Sequence, residues 1–165
     1  MAEKINPVRR VDEEAISLAR KLLAEARYAA LAVKEPESDV PLVSRVAAAW
    51  SSDTGLFFSG SDLSIHSKCL VEDSTCSIML GEPGKGDGLA HPRMTLIGSA
   101  ARMGNEDHNR DLFRTVFVDI HPKAKMYIDF ADFGFYPVLA SRALLNGGFG
   151  KAYHFDLEDM SSLIG

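Results

Sequence analysis

With 165 residues, of which 46% are hydrophobic and 25% charged, the chain suits a single domain, residues 1–165, that buries one core. A formal charge of −5, from 18 basic and 23 acidic side chains, excludes a general nucleic-acid binder, which needs a basic surface to displace counterions. No stretch approaches the roughly 20 apolar residues that span a bilayer. The polar segment Met1–Arg10 lacks the apolar core of a secretory signal, so a cytoplasmic protein without membrane or nucleic-acid partners is expected.

The first predicted element is a helix over residues 12–27. Asp12 is its N-cap, Val11 and Ile16 form a hydrophobic staple, and Leu18, Ala19, Leu22, Leu23 and Ala26 recur at helical spacing. The period then changes. Tyr28–Val33 reads as a buried strand, and Lys34–Val40, with Pro36, Ser38 and Asp39, as a hairpin connection. Pro41–Trp50 is a strand with Leu42, Ser44, Val46 and Ala48 on one face and Val43, Arg45, Ala47 and Ala49 on the other. Leu56–Ser59 is a third strand. Ser61–Glu72 reads as a short helix with Leu63, Leu70 and Val71 turned inward.

Thr75–Leu80 is a strand, followed by a glycine-rich charged loop, Gly81–Gly88. Arg93–Met103 is a long strand with a bend or bulge at Gly98. A helix over Asn105–Ile120, capped by Asn105, carries an apolar stripe of Leu112, Phe113, Val116, Phe117 and Ile120. Pro122 opens another helix to about Phe130. Strands follow at Phe133–Val138, Ala143–Leu145 and Gly150–Phe155, and a frayed tail covers residues 156–165. Hairpin-like spacing without regular strand–helix alternation favours an antiparallel α+β barrel over a doubly wound sheet.

Two segments carry the chemistry. Arg45 stands in a strand of small apolar residues, an awkward place for a cation without a partner. Ser59–Lys68 runs from a strand end through Ser59, Ser61, Ser64 and Ser67 into a helix, with His66 and Lys68 close behind. Hydroxyls, a helix N-terminus and basic side chains together suit a phosphate. On composition alone, a surface arginine and an ordinary capped helix are the favoured reading. Cys69 and Cys76, separated by six residues, fit neither a CxxC pair nor a zinc half-site and read as buried reduced thiols. The five histidines show no metal-binding helix spacing, so no metal is expected. Gly81–Asp87 is no phosphate-binding P-loop, because Asp87 stands where Ser or Thr must hold magnesium. Gly147–Gly150 is no dinucleotide fingerprint and marks a close backbone approach.

The segment Pro41–Ala47 resembles the first flavin-contacting strand of the pyridoxamine 5′-phosphate oxidase-like flavoproteins, and Ser61–Lys68 resembles the strand-to-helix turn that follows it. Four further motifs are similar to the HugZ-type haem-utilisation branch: Leu80–Asp87, His91–Gly98, Asp132–Tyr136 and Leu145–Ala152. In all, the resemblance covers roughly residues 15–153. It implies an antiparallel FMN-binding split β-barrel with flanking helices, working as a homodimer with the flavin at the subunit interface. It implies that Arg45 contacts the FMN phosphate and that the chain from Arg45 through Val46 and Ala47 passes the flavin ring, partly by backbone groups. Ser59 and Ser61 would add hydroxyls near the phosphate, and His66, Ser67 and Lys68 match the basic and hydroxyl positions of the turn. Superfamily members more often show a basic Arg-Lys pair there, so His66 in place of lysine is a departure of this branch. Arg93 falls where relatives set a polar side chain against the flavin.

The function implied is an FMN-dependent oxidoreductase acting on an unidentified small substrate, with no catalytic acid or base assigned. A haem-binding or haem-utilisation protein is the alternative from the HugZ-type branch, whose members often carry an additional C-terminal domain. The sequence ends at Gly165, so a chain without that domain is expected, which argues against haem degradation. A non-catalytic flavin carrier is the third reading. Pyridoxamine 5′-phosphate oxidation itself is the weakest, since the family's C-terminal substrate-contacting arginine and histidine have no counterpart after Ala152.

Overall fold

The computed structural model describes residues 8–164. Most of the charged segment Met1–Arg10 and the end of the tail, Gly165, lie outside the described residues.

Among the described residues, eight strands and four helices alternate irregularly. They are β1 (Val8–Arg9), α1 (Glu13–Ala24), β2 (Tyr28–Lys34), β3 (Pro41–Ser51), β4 (Gly55–Ser61), α2 (Ile65–Glu72), β5 (Thr75–Leu80), β6 (Arg93–Ala100), α3 (Arg110–Ile120), β7 (Phe133–Asn146), β8 (Ala152–Phe155) and α4 (Leu157–Ile164). Short 3₁₀ turns occupy Gly88–Ala90 and Pro122–Met126. Strands β2, β3, β4, β7, β6 and β5 pair in that order, all antiparallel, and β5 pairs back onto β2, closing a six-stranded barrel. β8 and β1 extend the sheet from the C-terminal half of β7. This is the α+β antiparallel barrel that the strand spacing favours.

Period-2 alternation sorts the side chains into two cores. Inward-facing Leu31, Val46, Ala48, Phe58, Ile78, Leu96 and Tyr136 fill the barrel, and α1 and α4 pack their buried side chains onto this core. Phe58 and Tyr136 stack at 4.9 Å. A second core lies outside the sheet, where Phe113, Phe117 and Val118 of α3 cover Ala49, Phe57 and Phe135. Phe57 meets Phe113 at 4.7 Å and Phe135 edge-on at 5.7 Å.

The bulge expected at Gly98 is present. Pairing between β6 and β7 shifts between Ile97 and Gly98, leaving Ser141 unpaired, with its hydroxyl donating to the Ile97 carbonyl at 3.2 Å. A side chain at Gly98 would run into the Leu139 carbonyl, so only glycine fits.

Several expectations are corrected. The first helix ends at Ala24, not residue 27, because the Arg27 guanidinium turns back onto the carbonyls of Ala24 and Ala26. Its start is as read, with Asp12 Oδ1 accepting from the Ala15 amide at 2.8 Å. The short helix begins at Ile65, and Leu63 and Val71 face solvent. Leu63 belongs to the turn before the helix, and α2 buries Leu70, as expected, together with Ser67 and Cys69. α3 begins at Arg110, because the Asn105 side chain is engaged by Arg102 and Asp107 accepts the Asn109 amide in a local turn. The two strands expected over residues 133–145 are one, since the bulge carries polar Ser141 and Arg142 through without a break. The tail is not frayed: residues 157–164 form α4, with Met160 and Leu163 buried against the barrel.

Candidate functional site

Outside the barrel, α3 covers only one part of the sheet. Cross-strand pairing sets Arg45 opposite Ala30, Ala30 opposite Met79, Met79 opposite Thr95, Thr95 opposite Leu144 and Leu144 opposite His154. Paired residues share a face, so these six form one row across the uncovered sheet. An open groove of about 550 Å³ runs over the Arg45 end of this row, walled by Tyr28, Val43 and the Gly81–Pro83 corner. Arg45 is exposed and has no hydrogen bond or ion pair among the described residues. Val46 points into the barrel and is 3% exposed, so only its backbone reaches the face. Ala47 is half-buried between Tyr28 and Ser59, its cross-strand partners.

Ser59 stands where the covered sheet meets the open one. Its hydroxyl is buried and has no partner among the described residues. Such an orphan costs about 1–3 kcal/mol unless something completes it. Beyond it, Ser61 Oγ donates to Asp132 Oδ2 at 2.6 Å, and the Asp62 amide donates to the Asp132 carbonyl at 2.7 Å. Ser64 Oγ lies 2.6 Å from the Ser61 carbonyl, 2.8 Å from Ser67 Oγ and 3.1 Å from His66 Nε2. One hydroxyl proton serves only one of these contacts at a time, so the cluster can rearrange its protons toward a ligand. Burial pushes the His66 imidazole below its ordinary value, which favours the neutral ring. Gly60 lets Ser67, His66 and Tyr136 close over the strand, since a Cβ there would meet all three at 3.1–3.3 Å.

The structure thus brings Ser61, Ser64, His66 and Ser67 together at one turn. It does not bring Lys68 into their cluster: that side chain is exposed and lines a separate groove with Glu35, Glu37 and Glu72. Arg93 opens β6, three strands away from Arg45 around the barrel, and donates to the carbonyls of Leu89 at 3.2 Å and His91 at 3.4 Å. It borders a smaller groove of about 210 Å³ with Thr95, Leu144 and His154, which joins the first through Met79.

Sequence reasoning missed Arg102, the side chain that fixes this turn. Its Nε lies 2.8 Å from Asp62 Oδ1, and its Nη2 donates to the carbonyls of Phe133 and Ala131 at 3.2 and 3.3 Å. The signal was Gly134: a Cβ there would come 2.6 Å from Arg102 Nε, so the Asp132–Tyr136 motif leaves a bare backbone for the guanidinium. Among the described residues no group of three or more His, Cys, Asp or Glu side chains is placed to hold a metal ion. No helix among them is long and apolar enough to cross a membrane.

Comparison with known proteins agrees with this architecture. No family model and no curated protein matches the chain. Solved structures do. One is 36% identical at a TM-score of 0.82, covering 92% of this chain and 98% of its own. A heme-binding protein from Mycobacterium smegmatis is 28% identical at a TM-score of 0.81, covering 93% of this chain and 61% of that one. Campylobacter jejuni ChuZ, at 15% identity and a TM-score of 0.78, covers 92% and 63%. Two further chains share the fold at TM-scores of 0.69 and 0.61. One is a pyridoxinephosphate oxidase family protein from Clostridium acetobutylicum, 13% identical over 91% of this chain and 99% of its own. The other is a FAD-binding protein from Mesorhizobium loti, 14% identical over 81% and 92%. The chain spans about three fifths of the length of the M. smegmatis and C. jejuni proteins.

A closed six-stranded antiparallel barrel with flanking helices and one uncovered sheet face defines the split-barrel class. The chain has this split-barrel fold, and it shares it with the C. acetobutylicum pyridoxinephosphate oxidase family protein and with C. jejuni ChuZ.

Proposed function

We propose that the protein binds FMN on the uncovered sheet face and works as a cytoplasmic homodimer, a flavin-dependent oxidoreductase for a small substrate. The observation that carries this is Arg45 in the open groove and, on the same sheet face opposite Ala47, the buried Ser59 hydroxyl, both without partners among the described residues. A phosphate would satisfy both: an arginine fork suits its oxygens, and charge-assisted bonds are stronger than neutral ones. Bound FMN supplies hydride or electron transfer.

The protein's own residues do the rest. Ser61, Ser64 and Ser67 offer hydroxyls at the opening of α2, with Arg102 holding the turn through Asp62. Arg45 adds fixed positive charge, which favours a reduced, anionic ring. Ala30 and Met79 give the groove a floor of small or flexible side chains. Val43 and Leu139 are 65% and 73% exposed on the open sheet, an apolar surface that a second copy would cover. The M. loti FAD-binding protein shows that this fold accommodates a flavin.

The test is the absorbance spectrum after reconstitution with FMN and removal of free flavin, for the parent and for Arg45→Ala. Retention by the parent and loss by the variant support the reading, and NADPH bleaching then separates an enzyme from a carrier. The second reading is haem binding, favoured by the 28% identity with the M. smegmatis heme-binding protein. A Soret band on adding haem, with no retained flavin, would establish it in place of the first.

A further inference from the structure

A second groove, of about 440 Å³, lies between α1 and the loop before β6. It shares Tyr28, Gly81 and Glu82 with the sheet-face groove, so the two open into one another at that corner. Gly81 makes the opening. Its φ is +104°, and a side chain there would run into the Pro92 carbonyl and Arg93. Leu18, Leu22 and Ala26 of α1 give the groove an apolar side.

Its charged rim is not fully self-satisfied. Glu25 is answered by Lys21 at 3.9 Å. Arg27 spends only Nη1, on the carbonyls of Ala24 and Ala26 at 3.2 and 2.9 Å. Its Nε and Nη2 have no partner among the described residues, leaving one edge of the guanidinium available for an oxyanion. The loop wall is fixed: His91 Nε2 bonds the Lys85 carbonyl at 2.9 Å, and its ring packs on Gly84, where a Cβ would come within 2.7 Å.

We propose that this groove takes an amphipathic carboxylate, with its apolar body along Leu18, Leu22 and Ala26 and its carboxylate on Arg27. That the occupant is the substrate rests on the flavin reading, since the groove opens at Tyr28 onto the face where the ring would lie.

Phenylacetate is the probe and phenylacetamide its neutral control, each titrated into flavin-free ¹⁵N-labelled protein and followed by amide chemical shifts. Phenylacetate is expected to move Leu22, Arg27 and Gly81 together and to saturate. The amide is expected to bind roughly tenfold more weakly, as is phenylacetate to Arg27→Gln. Arg27→Lys, which keeps the charge and loses the fork, should fall between. A well-dispersed spectrum of each variant shows that it is folded. Equal binding of acid and amide, shifts away from these residues, no saturation, or full affinity in Arg27→Gln would each overturn the site. Because these titrations contain no flavin, failure of FMN retention would leave the carboxylate site standing and remove only its role as substrate groove.

Discussion

The outer surface of the barrel is built in two ways from one sheet. Around Ala49, Phe57 and Phe135, the aromatic side chains of α3 seal it completely: Phe57, Phe117 and Phe135 are 0% exposed. Around Arg45, Ala30, Met79 and Leu144 the same sheet is left open, with the Arg45 cation beside a groove. Ser59 marks the border. The covered region invests its residues in burial, and the open one leaves polar groups without partners, which is where a ligand finds free energy to gain.

Substitutions in the two regions should therefore separate stability from binding. The largest effect belongs to Phe117→Ala, which empties the centre of the covered region. It should cost about 3–5 kcal/mol in urea unfolding and leave flavin retention, measured in the residual folded protein, unchanged. Next is Gly98→Ala, which forces a methyl against the Leu139 backbone at the bulge. A loss of about 1–3 kcal/mol is expected, and full stability would show that the strands part more readily than their geometry implies. Arg45→Ala should reverse the pattern. Its unfolding free energy should stay within about 0.5 kcal/mol of the parent, while FMN affinity falls by roughly tenfold or more.

The smallest effect is on pH dependence. Burial lowers the His66 pKa from its ordinary 6.5, so the unfolded chain binds that proton more readily than the folded one. The neutral ring's contribution is present above pH 6.5 and is lost as pH falls through the lowered folded value. Stability curves from pH 7.5 to about 5 should be flatter for His66→Asn than for the parent. Parallel curves would place the acid sensitivity elsewhere.

Much of this division was legible beforehand. The alternation in Pro41–Trp50 already set Arg45 and Ala47 on one face and Val46 on the other, and the stripe of Phe113 and Phe117 announced a helix with something to cover. Gly98 announced the bulge. What the residues could not show by themselves was pairing between distant segments. The continuity of β7 depends on Ser141 being looped out opposite Gly98, and local polarity there reads as a break. α4 was missed because its short apolar side, Met160 and Leu163, acquires meaning only once the barrel end is there to receive it. Lys68 and Arg102 show the same limit in the site. Sequence adjacency put Lys68 with Ser67, yet the helix turns it toward Glu35 and Glu37, while Arg102, thirty residues upstream of its Ala131–Phe133 partners, ties down the turn.

The most direct test of the division is amide hydrogen exchange with and without FMN. The account predicts slower exchange in residues 61–68 and at the Gly81–Pro83 corner, with residues 110–128 of the covered region unchanged. Protection confined to residues 110–128, or no change anywhere on adding FMN, would contradict it.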